Sequence, residues 1–187
     1  MHVNRLNLGG KALFILEKKL QQKHQDEVWN LLYDSDEEFV PPLSSRNYTT
    51  QQVLSQGEMD KRGPIEYFKK MIEQEFILAI EKGKVIGFLT YIPDFLLQVE
   101  DRSVVCDYIS TIVVSTNYRN HGVTRNMYHT LFENRRNKMF ATRTWSENLA
   151  HLHLLETMGF ELISRIKNDR GKGIDTVYYL KGDGKDV

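Results

Sequence analysis

The chain has 187 residues, of which 41% are hydrophobic and 27% are charged, and these values are typical of one soluble globular domain. Its 25 basic and 25 acidic residues give a formal net charge of zero, so the composition does not indicate a nucleic-acid or anionic-membrane partner. No apolar run approaches the roughly 20 residues of a membrane span, and the N-terminus lacks a signal-peptide pattern. Cys106 is the only cysteine, which excludes an internal disulfide, and we expect a cytoplasmic protein.

The first 75 residues predict one short apolar segment and three helices. The run at 12–18 fits either a strand or a helix start, and periodicity does not decide between them. The apolar spacing predicts an amphipathic helix over 22–33, and a threonine N-cap predicts a short helix from Thr49 or Thr50 to Leu54. Pro64 suits the first position of a third helix that continues to Gln74.

The middle of the chain predicts three strands. Residues 76–80 and 85–91 are apolar and flank the turn sequence Glu81-Lys82-Gly83-Lys84, which predicts a β-hairpin. We expect the Pro93-Asp94 pair to end the second strand. After a loop, the third strand is predicted near 108–114.

The remaining chain alternates helices and strands. The pattern predicts a helix from about Gly122 to Arg136, a strand from Lys138 to Trp145, and a helix that Ser146 caps and that ends before Gly159. Two final strands are predicted, at 160–167 and 175–180. This order favours an α/β domain with one central sheet and helices packed on it.

The junction between the third strand and the next helix carries the most informative motif. The β-branched run from Ile109 to Val114 stops at a short polar loop, and a helical pattern begins at Val123. Unpaired N–H groups at a helix N-terminus, together with about half a positive charge from the helix dipole, form an anion site. Gly122 lets the backbone approach a phosphate because no Cβ intervenes. The sequence therefore predicts a pyrophosphate site at this turn.

The same residues resemble a known family. Arg119-Asn120-His121-Gly122-Val123-Thr124 is similar to the Gln/Arg-x-x-Gly-x-Gly/Ala signature of the GNAT superfamily of acyl-CoA-dependent N-acetyltransferases. A second family segment, an Asn followed by a helix that ends in Gly-Phe, resembles Asn148 through Gly159-Phe160. The resemblance covers roughly residues 75–165. It implies an α/β (α+β in some schemes) fold with a mixed, mostly antiparallel sheet of about seven strands and helices on both faces.

The resemblance also implies a domain plan and a cosubstrate. It implies a single domain over 1–187, a cofactor-binding core at about 75–165, and N-terminal helices at about 20–74 on the acceptor side. Acetyl-CoA is the implied acyl donor. The residues implied to hold it are the strand backbone at Ile112, Val113 and Val114, the loop and helix start at Arg119, Asn120, His121, Gly122, Val123, Thr124 and Arg125, and Asn148. Thr124 departs from the family's small residue, so we expect weakened but retained binding. Asn148 either bonds the pantetheine arm or caps its helix.

Catalytic residues are harder to assign. The family's tyrosine acid falls at Leu155, and the usual acidic strand positions fall at Ser110 and Thr111. Asp107 is the best carboxylate on the same strand and is the candidate base. Tyr128 is predicted to be a core residue. The histidines at 151 and 153 point to different faces of a helix, so a solvated face is expected and no metal site is predicted.

The resemblance implies an N-acyltransferase that moves an acetyl group from acetyl-CoA to an amine by direct attack in a ternary complex. Two alternatives stay open: an acyl-CoA-binding protein of the same fold with little turnover, and a scaffold without a cofactor. The acceptor is expected to be a small-molecule or peptide amine, and a homodimer stays open. Candidate pocket walls are Phe39 to Arg46 and the loop Pro93 to Arg102. Arg46 suits an acidic acceptor, although a surface arginine is the simpler interpretation.

Overall fold

The computed structural model describes residues 12–51, 54 and 59–182, which form one seven-stranded sheet with helices on both faces. In chain order the elements are β1 (Leu13–Glu17), α1 (Gln22–Asp34), α2 (Ile65–Met71), β2 (Glu75–Glu81), β3 (Lys84–Val99), β4 (Arg102–Val114), α3 (Val123–Asn134), β5 (Phe140–Trp145), α4 (Leu149–Thr157), β6 (Glu161–Ile166) and β7 (Thr176–Lys181). The run at 12–18 is therefore a strand. Among the described helices, none has the length and apolarity that a membrane crossing requires.

The strands lie in the order β1-β2-β3-β4-β5-β7-β6. Every neighbouring pair is antiparallel except β4 and β5, which are parallel. The predicted α/β fold, with a mixed and mostly antiparallel sheet of about seven strands, is confirmed. The predicted hairpin of β2 and β3 is present, and Lys82 and Gly83 adopt positive φ angles of 49° and 79° at its tip. This left-handed turn matches the twist of the two strands.

Two apolar clusters hold the helices on the sheet. On one face, α1 and α2 bury residues such as Leu32 and Met71 against alternate sheet residues such as Phe88. On the other face, α3 and α4 bury residues such as Met127 and Leu155 against the opposite set of sheet side chains. Alternation along each strand supplies both faces, which is why the strands at the centre of the sheet are almost continuously apolar. Because helices cover both faces of the sheet, a ligand can reach its strands only where two strands separate or at an edge.

The Pro93-Asp94 pair does not end the second strand, so that prediction is wrong. β3 continues to Val99, and its pairing with β4 shifts register between Ile92 and Phe95. This bulge takes Pro93 out of the ladder, where its missing N–H costs no hydrogen bond, and Asp94 adopts a positive φ of 52°. The extension stabilises the fold because it buries Leu97 in one apolar cluster with Tyr108, and Phe95 packs on Tyr108 with ring centroids 5.1 Å apart.

Several helices also begin or end at residues other than those that the sequence predicted. No helix covers Thr49 to Gln51, and most of the remainder of that predicted helix lies outside the described residues. The helix after Pro64 ends at Met71 rather than at Gln74, and Pro64 precedes its first residue. Asn148, not Ser146, is the residue that precedes α4. The Ser146 hydroxyl instead accepts the backbone N–H of Asp175 at 3.0 Å.

Candidate functional site

A gap in the sheet lies between β4 and β5. The two strands pair at only three positions, and the last pair joins Ile109 to Thr142. At the same level, Ser110 is an extra residue in β4, because Thr111 pairs with Thr90 while Ile109 pairs with Tyr91. Beyond this bulge, the β4 edge at 110–114 has no β5 residue paired with it among the described residues. Backbone N–H and C=O groups on that edge are therefore available to a ligand.

A cavity of about 310 Å³ occupies this gap. Its floor is the β4 segment 110–114 and the β5 segment 142–145, and one wall is the start of α4. The other wall comes from the segment after α1 and from the β6–β7 loop. The residues of these walls are Ser35, Glu38, Phe39, Arg46, Thr49, Asn148, Ala150, His151, Leu154 and Arg170, and Arg119 and Thr124 complete the lining at the α3 end. This volume is at the lower end of the range for small-ligand sites.

The N-terminus of α3 opens onto the same cavity. Gly122 precedes the helix with a left-handed φ of +74°, a conformation that glycine adopts without strain. The first backbone bond of the helix runs from the Asn126 N–H to the Gly122 carbonyl at 3.0 Å. The N–H groups before it are free of intrahelical partners. A Cβ placed on Gly122 would meet no atom within 4 Å, so the approach is open. Thr124 lines the cavity, which joins the helix end to the gap.

The residues predicted to hold acyl-CoA fall into two groups. Ile112, Val113, Val114, Arg119, Thr124 and Asn148 line the cavity. Asn120, His121, Gly122, Val123 and Arg125 surround the helix start outside the lining, where Val123 is buried in the core and the other four are exposed.

Several side chains of this turn already have partners. Arg119 donates from Nε to the Val114 carbonyl at 3.0 Å, and its Nη2 pairs with Glu38 at 2.8 Å. Arg125 donates to the Thr157 hydroxyl at 2.9 Å. Asn148 donates to the Thr144 hydroxyl at 3.1 Å and makes no side-chain cap on α4. The main-chain N–H groups of the turn are thus its most available donors.

Asp107 lies away from the cavity. Its carboxylate is fully buried and receives Arg135 Nε at 2.6 Å, Arg135 Nη2 at 2.9 Å and the Asp94 N–H at 3.0 Å. All three bonds are to the bulge of β3 or to the end of α3. A carboxylate held this way is suited to joining these elements. Its role as a general base stays a prediction, and these surroundings favour a structural role instead.

Tyr128 and His151 form a polar pair that the sequence did not predict. Tyr128 is fully buried, as expected of a core residue, and its hydroxyl shares a 2.9 Å hydrogen bond with His151 Nε2. His151 is half-buried and lines the cavity, which differs from the solvated face that was expected, whereas His153 is exposed. Burial lowers the pKa of His151 to about 4, so the imidazole is neutral near pH 7.

This histidine gives a pH-dependent stability. The unfolded chain protonates His151 below about pH 6.5, whereas the folded chain does so only near pH 4, so the free energy of unfolding falls as the pH is lowered. We expect His151→Gln to remove about 1–2 kcal/mol of the stability difference between pH 7 and pH 5. Urea unfolding at pH 7 and at pH 5 measures this difference in the free energy of unfolding. His153→Gln, at an exposed position, is the control and is expected to leave the difference unchanged. An unchanged pH dependence in His151→Gln would contradict the assignment.

Cys106 is a packing residue. Its side chain is buried in a smaller apolar cluster with Leu97 and Tyr108, and burial raises the pKa of the thiol to about 12. The neutral thiol is a poor nucleophile. Among the described residues, no group of three or more His, Cys, Asp or Glu side chains is arranged to hold a metal ion.

Three arginines besides Arg119 line the cavity. Arg46, expected at the surface, is only 7% exposed, and Arg170 is 6% exposed. Arg143 is half-buried on β5. The sequence analysis did not select Arg143 or Arg170. The sequence did contain an indication for Arg143, because a charged residue inside a strand that is covered on both faces is rarely buried without a binding partner. Trp145, at the end of the same strand, also lines the cavity. The predicted pocket wall at Pro93 to Arg102 does not line it.

Comparisons with known proteins agree with this geometry. A model of the acetyltransferase (GNAT) family matches residues 28–160. Among solved structures, a ribosomal-protein-alanine N-acetyltransferase from Brucella melitensis aligns with a TM-score of 0.61 and 16% identity over 90% of this chain and 99% of that chain. Arabidopsis thaliana NAA60, in complex with a bisubstrate analogue, aligns with a TM-score of 0.63 and 12% identity over 90% of this chain and 97% of that chain.

A third structure, of the NatC complex bound to Gag peptide and CoA, aligns with a TM-score of 0.59 and 15% identity over 90% of this chain and 98% of that chain. At these identities the structures show a shared fold. A comparison with curated protein sequences gives no significant match. The family model covers well over half of the 187 residues, including the glycine turn and the strands on either side of the gap. The chain therefore belongs to the GNAT family of acetyltransferases.

Proposed function

We propose that this protein transfers an acetyl group from acetyl-CoA to an amine by direct attack in a ternary complex. The observation that carries the proposal is the continuity between the β4–β5 gap and the open N-terminus of α3. A gap lined by main-chain groups suits an extended amide-bearing arm, and a helix N-terminus suits a diphosphate. The NatC structure supports the choice of ligand, since that complex, which includes a chain of this fold, is bound to CoA.

The chain supplies distinct contacts for each part of acetyl-CoA, the acyl donor. The main-chain groups at Ile112, Val113 and Val114 are proposed to bond the pantetheine arm, with Asn148 on the opposite side. The amides from Asn120 to Arg125 are proposed to receive the diphosphate. Arg119, which lines the cavity at the α3 end, is proposed to attract the diphosphate while it keeps its 2.8 Å pair with Glu38.

Proton movement is proposed to involve water rather than a dedicated side chain. The amine must be neutral to attack, and Glu38 is the only carboxylate among the described cavity-lining residues. Because Glu38 already pairs with Arg119, no described carboxylate is free to accept the proton there. Leu155 replaces the family's tyrosine and is fully buried. A thiol of ordinary pKa near 8.5 is a fair leaving group without an acid, and β4 N–H groups are available to the developing oxyanion.

The residues that surround the gap also define the acceptor side. The segment after α1 and the loop between β6 and β7 line the cavity and meet where Arg170 donates to the Val40 carbonyl. We propose that they bind the acceptor, as parts of a single domain over 1–187. The cytoplasm remains the expected compartment, on the basis of one cysteine that is buried and unpaired.

One second candidate is kept: an acyl-CoA-binding protein of this fold with little turnover. The specific observation that favours it is Leu155 at the place of the family's acid, together with the paired state of Glu38. The two candidates differ in a single readout. Release of the CoA thiol from acetyl-CoA in the presence of an amine panel measures turnover, while calorimetry measures binding.

We expect amine-dependent thiol release well above the background hydrolysis of acetyl-CoA. Binding without release for any amine would support the second candidate. No binding at millimolar acetyl-CoA would contradict both.

A further inference from the structure

The acceptor side of the cavity contains three guanidinium groups that come from separate parts of the chain. Arg46 follows α1, Arg143 lies on β5, and Arg170 lies in the loop between β6 and β7, and we call them the arginine cluster. Arg46 and Arg170 are at least nine-tenths buried. Three long charged side chains in one small cavity are unusual, because arginines are almost never buried without a paired charge.

Within the cluster, the recorded hydrogen bonds go to neutral partners. Arg46 donates from Nε to the Pro41 carbonyl at 3.1 Å, and Arg170 donates to the Thr176 hydroxyl at 2.9 Å and to the Val40 carbonyl at 2.6 Å. Among the described residues, no ion pair joins the arginine cluster to a carboxylate. The charges of the cluster are thus left without direct compensation.

Arg143 has the largest unused capacity. Its Nη1 makes one long bond to the Tyr178 hydroxyl at 3.4 Å. Its Nη2 is buried and has no hydrogen-bond partner in the part of the chain that the structure describes. A buried donor left unsatisfied is costly, and more so when it is charged. Such a group in the lining of a cavity points to a ligand that accepts hydrogen bonds from it.

The electrostatic state of the cluster agrees with this. Burial, with further repulsion from Arg143, lowers the pKa of Arg46 to about 10. Burial, with repulsion from Arg46 and Arg143, lowers the pKa of Arg170 to about 9. Burial opposes the charge of Arg143, but the neighbouring Tyr108 and Tyr178 raise its pKa on balance. All three groups therefore stay charged near pH 7, and repulsion within the cluster disfavours the charges of Arg46 and Arg170. An anion placed among them would remove that penalty.

The position of the cluster connects it to the proposed reaction. Arg143 directly follows Thr142, the last β5 residue that pairs with β4 before the gap opens. Arg170 closes one side by its bond to the Val40 carbonyl, and Phe39 and Trp145 pack with ring centroids 6.1 Å apart beside it. These contacts cover the cavity near the arginines. They favour a small occupant over an extended chain.

On the basis of the proposed function, we infer that the acceptor is a small primary amine that also carries an anionic group, a carboxylate or a phosphate, which the arginine cluster binds. In the transfer, the amine nitrogen bonds to the acyl carbon and the C–S bond of the thioester breaks. One amine proton passes to water, and the CoA thiolate takes a proton from water. The arginines position the acceptor and take no part in these bonds.

Matched amine pairs test the inference through binding. The protein is saturated with CoA and titrated by calorimetry with β-alanine against β-alaninamide, and with phosphoethanolamine against ethanolamine. The first pair changes only a carboxylate, and the second tests a phosphate. We expect the anionic member of at least one pair to bind about 10- to 100-fold more tightly, the value of one or two charge-assisted hydrogen bonds. The pair with the larger ratio identifies the anion.

Substitution of Arg143 assigns the preference to the cluster. Arg143→Met keeps the aliphatic stem and removes the charge, and we expect the anionic preference to fall at least about tenfold while the Kd for acetyl-CoA stays within about twofold. Arg143→Lys keeps a charge and is expected to retain part of the preference. The matched control is Arg136→Met, an exposed arginine outside the cavity. Melting temperatures exclude misfolding as the cause.

Two results would overturn the inference while leaving the proposed function intact. One is equal binding of both members of each pair, or tight binding of a neutral peptide amine instead. The other is a large loss of acetyl-CoA affinity in Arg143→Met, which would assign the cluster to the phosphates of CoA. Failure of the proposed function gives a different result, namely no binding of acetyl-CoA to the unaltered protein.

Discussion

Gly122→Asp is expected to weaken acetyl-CoA binding by about 100-fold or more. The new carboxylate would face the diphosphate at the α3 N-terminus, and a charge of −1 against −2 at about 5 Å costs about 3 kcal/mol at an effective dielectric of about 40. The fold is expected to survive, because aspartate tolerates a left-handed φ such as the +74° here and is a preferred N-cap residue. Isothermal titration of acetyl-CoA measures the loss.

Gly122→Asn is the matched control for this substitution. Asparagine has nearly the same shape and also tolerates the left-handed conformation, but it carries no charge. We expect Gly122→Asn to weaken acetyl-CoA binding by about tenfold, because of the added side chain alone, which is a much smaller loss than in Gly122→Asp. Wild-type affinity in both variants, with melting temperatures unchanged, would show that the diphosphate does not bind at this turn.

Asp107→Asn is expected to lower the free energy of unfolding by about 2–4 kcal/mol. The substitution leaves Arg135, whose side chain is 24% exposed, without its closest carboxylate. It also replaces one acceptor oxygen of Asp107 by an amide NH2 group, which is a donor and faces the donors of Arg135 or Asp94. Because Asp107 is remote from the cavity lining, we expect kcat of the folded protein to stay within about threefold of the unaltered protein, or about 0.7 kcal/mol. Urea unfolding and the thiol-release assay are the two measurements.

Asp94→Asn serves as the control, because Asp94 pairs with the same arginine at 3.2 Å but is 53% exposed on its side chain. An exposed pair of this kind is worth less than about 1 kcal/mol. If Asp107→Asn instead left stability unchanged and reduced kcat about 100-fold, Asp107 would be the general base and its structural role would be rejected.

The sequence predicted the parts of the fold that depend on local patterns. The hairpin of β2 and β3 follows from alternating apolar runs around a glycine turn, and α3 follows from Val123, Met127 and Leu131 at four-residue spacing. The anion site at Gly122 was predicted for the same reason, since a strand, a turn and a helix start are all contiguous in the chain. Its left-handed φ and open approach fit that prediction.

The features that the sequence missed depend on contacts between distant segments. The bulge at Pro93 and Asp94 exists because β3 must stay paired with β4 beyond it, which no local pattern reveals. The arginine cluster is assembled from three positions that only the folded sheet brings together. His151 was expected in solvent because a helical pattern does not identify its packing partner, which is Tyr128 on another helix.

The most direct test of the account compares CoA with pantetheine, which has the same amide-bearing arm but no diphosphate. If main-chain amides at the start of α3 hold the diphosphate, calorimetry gives micromolar binding of CoA and at least about 100-fold weaker binding of pantetheine, which corresponds to about 2.7 kcal/mol. Equal affinity for both ligands, or no heat at millimolar CoA, would contradict the account.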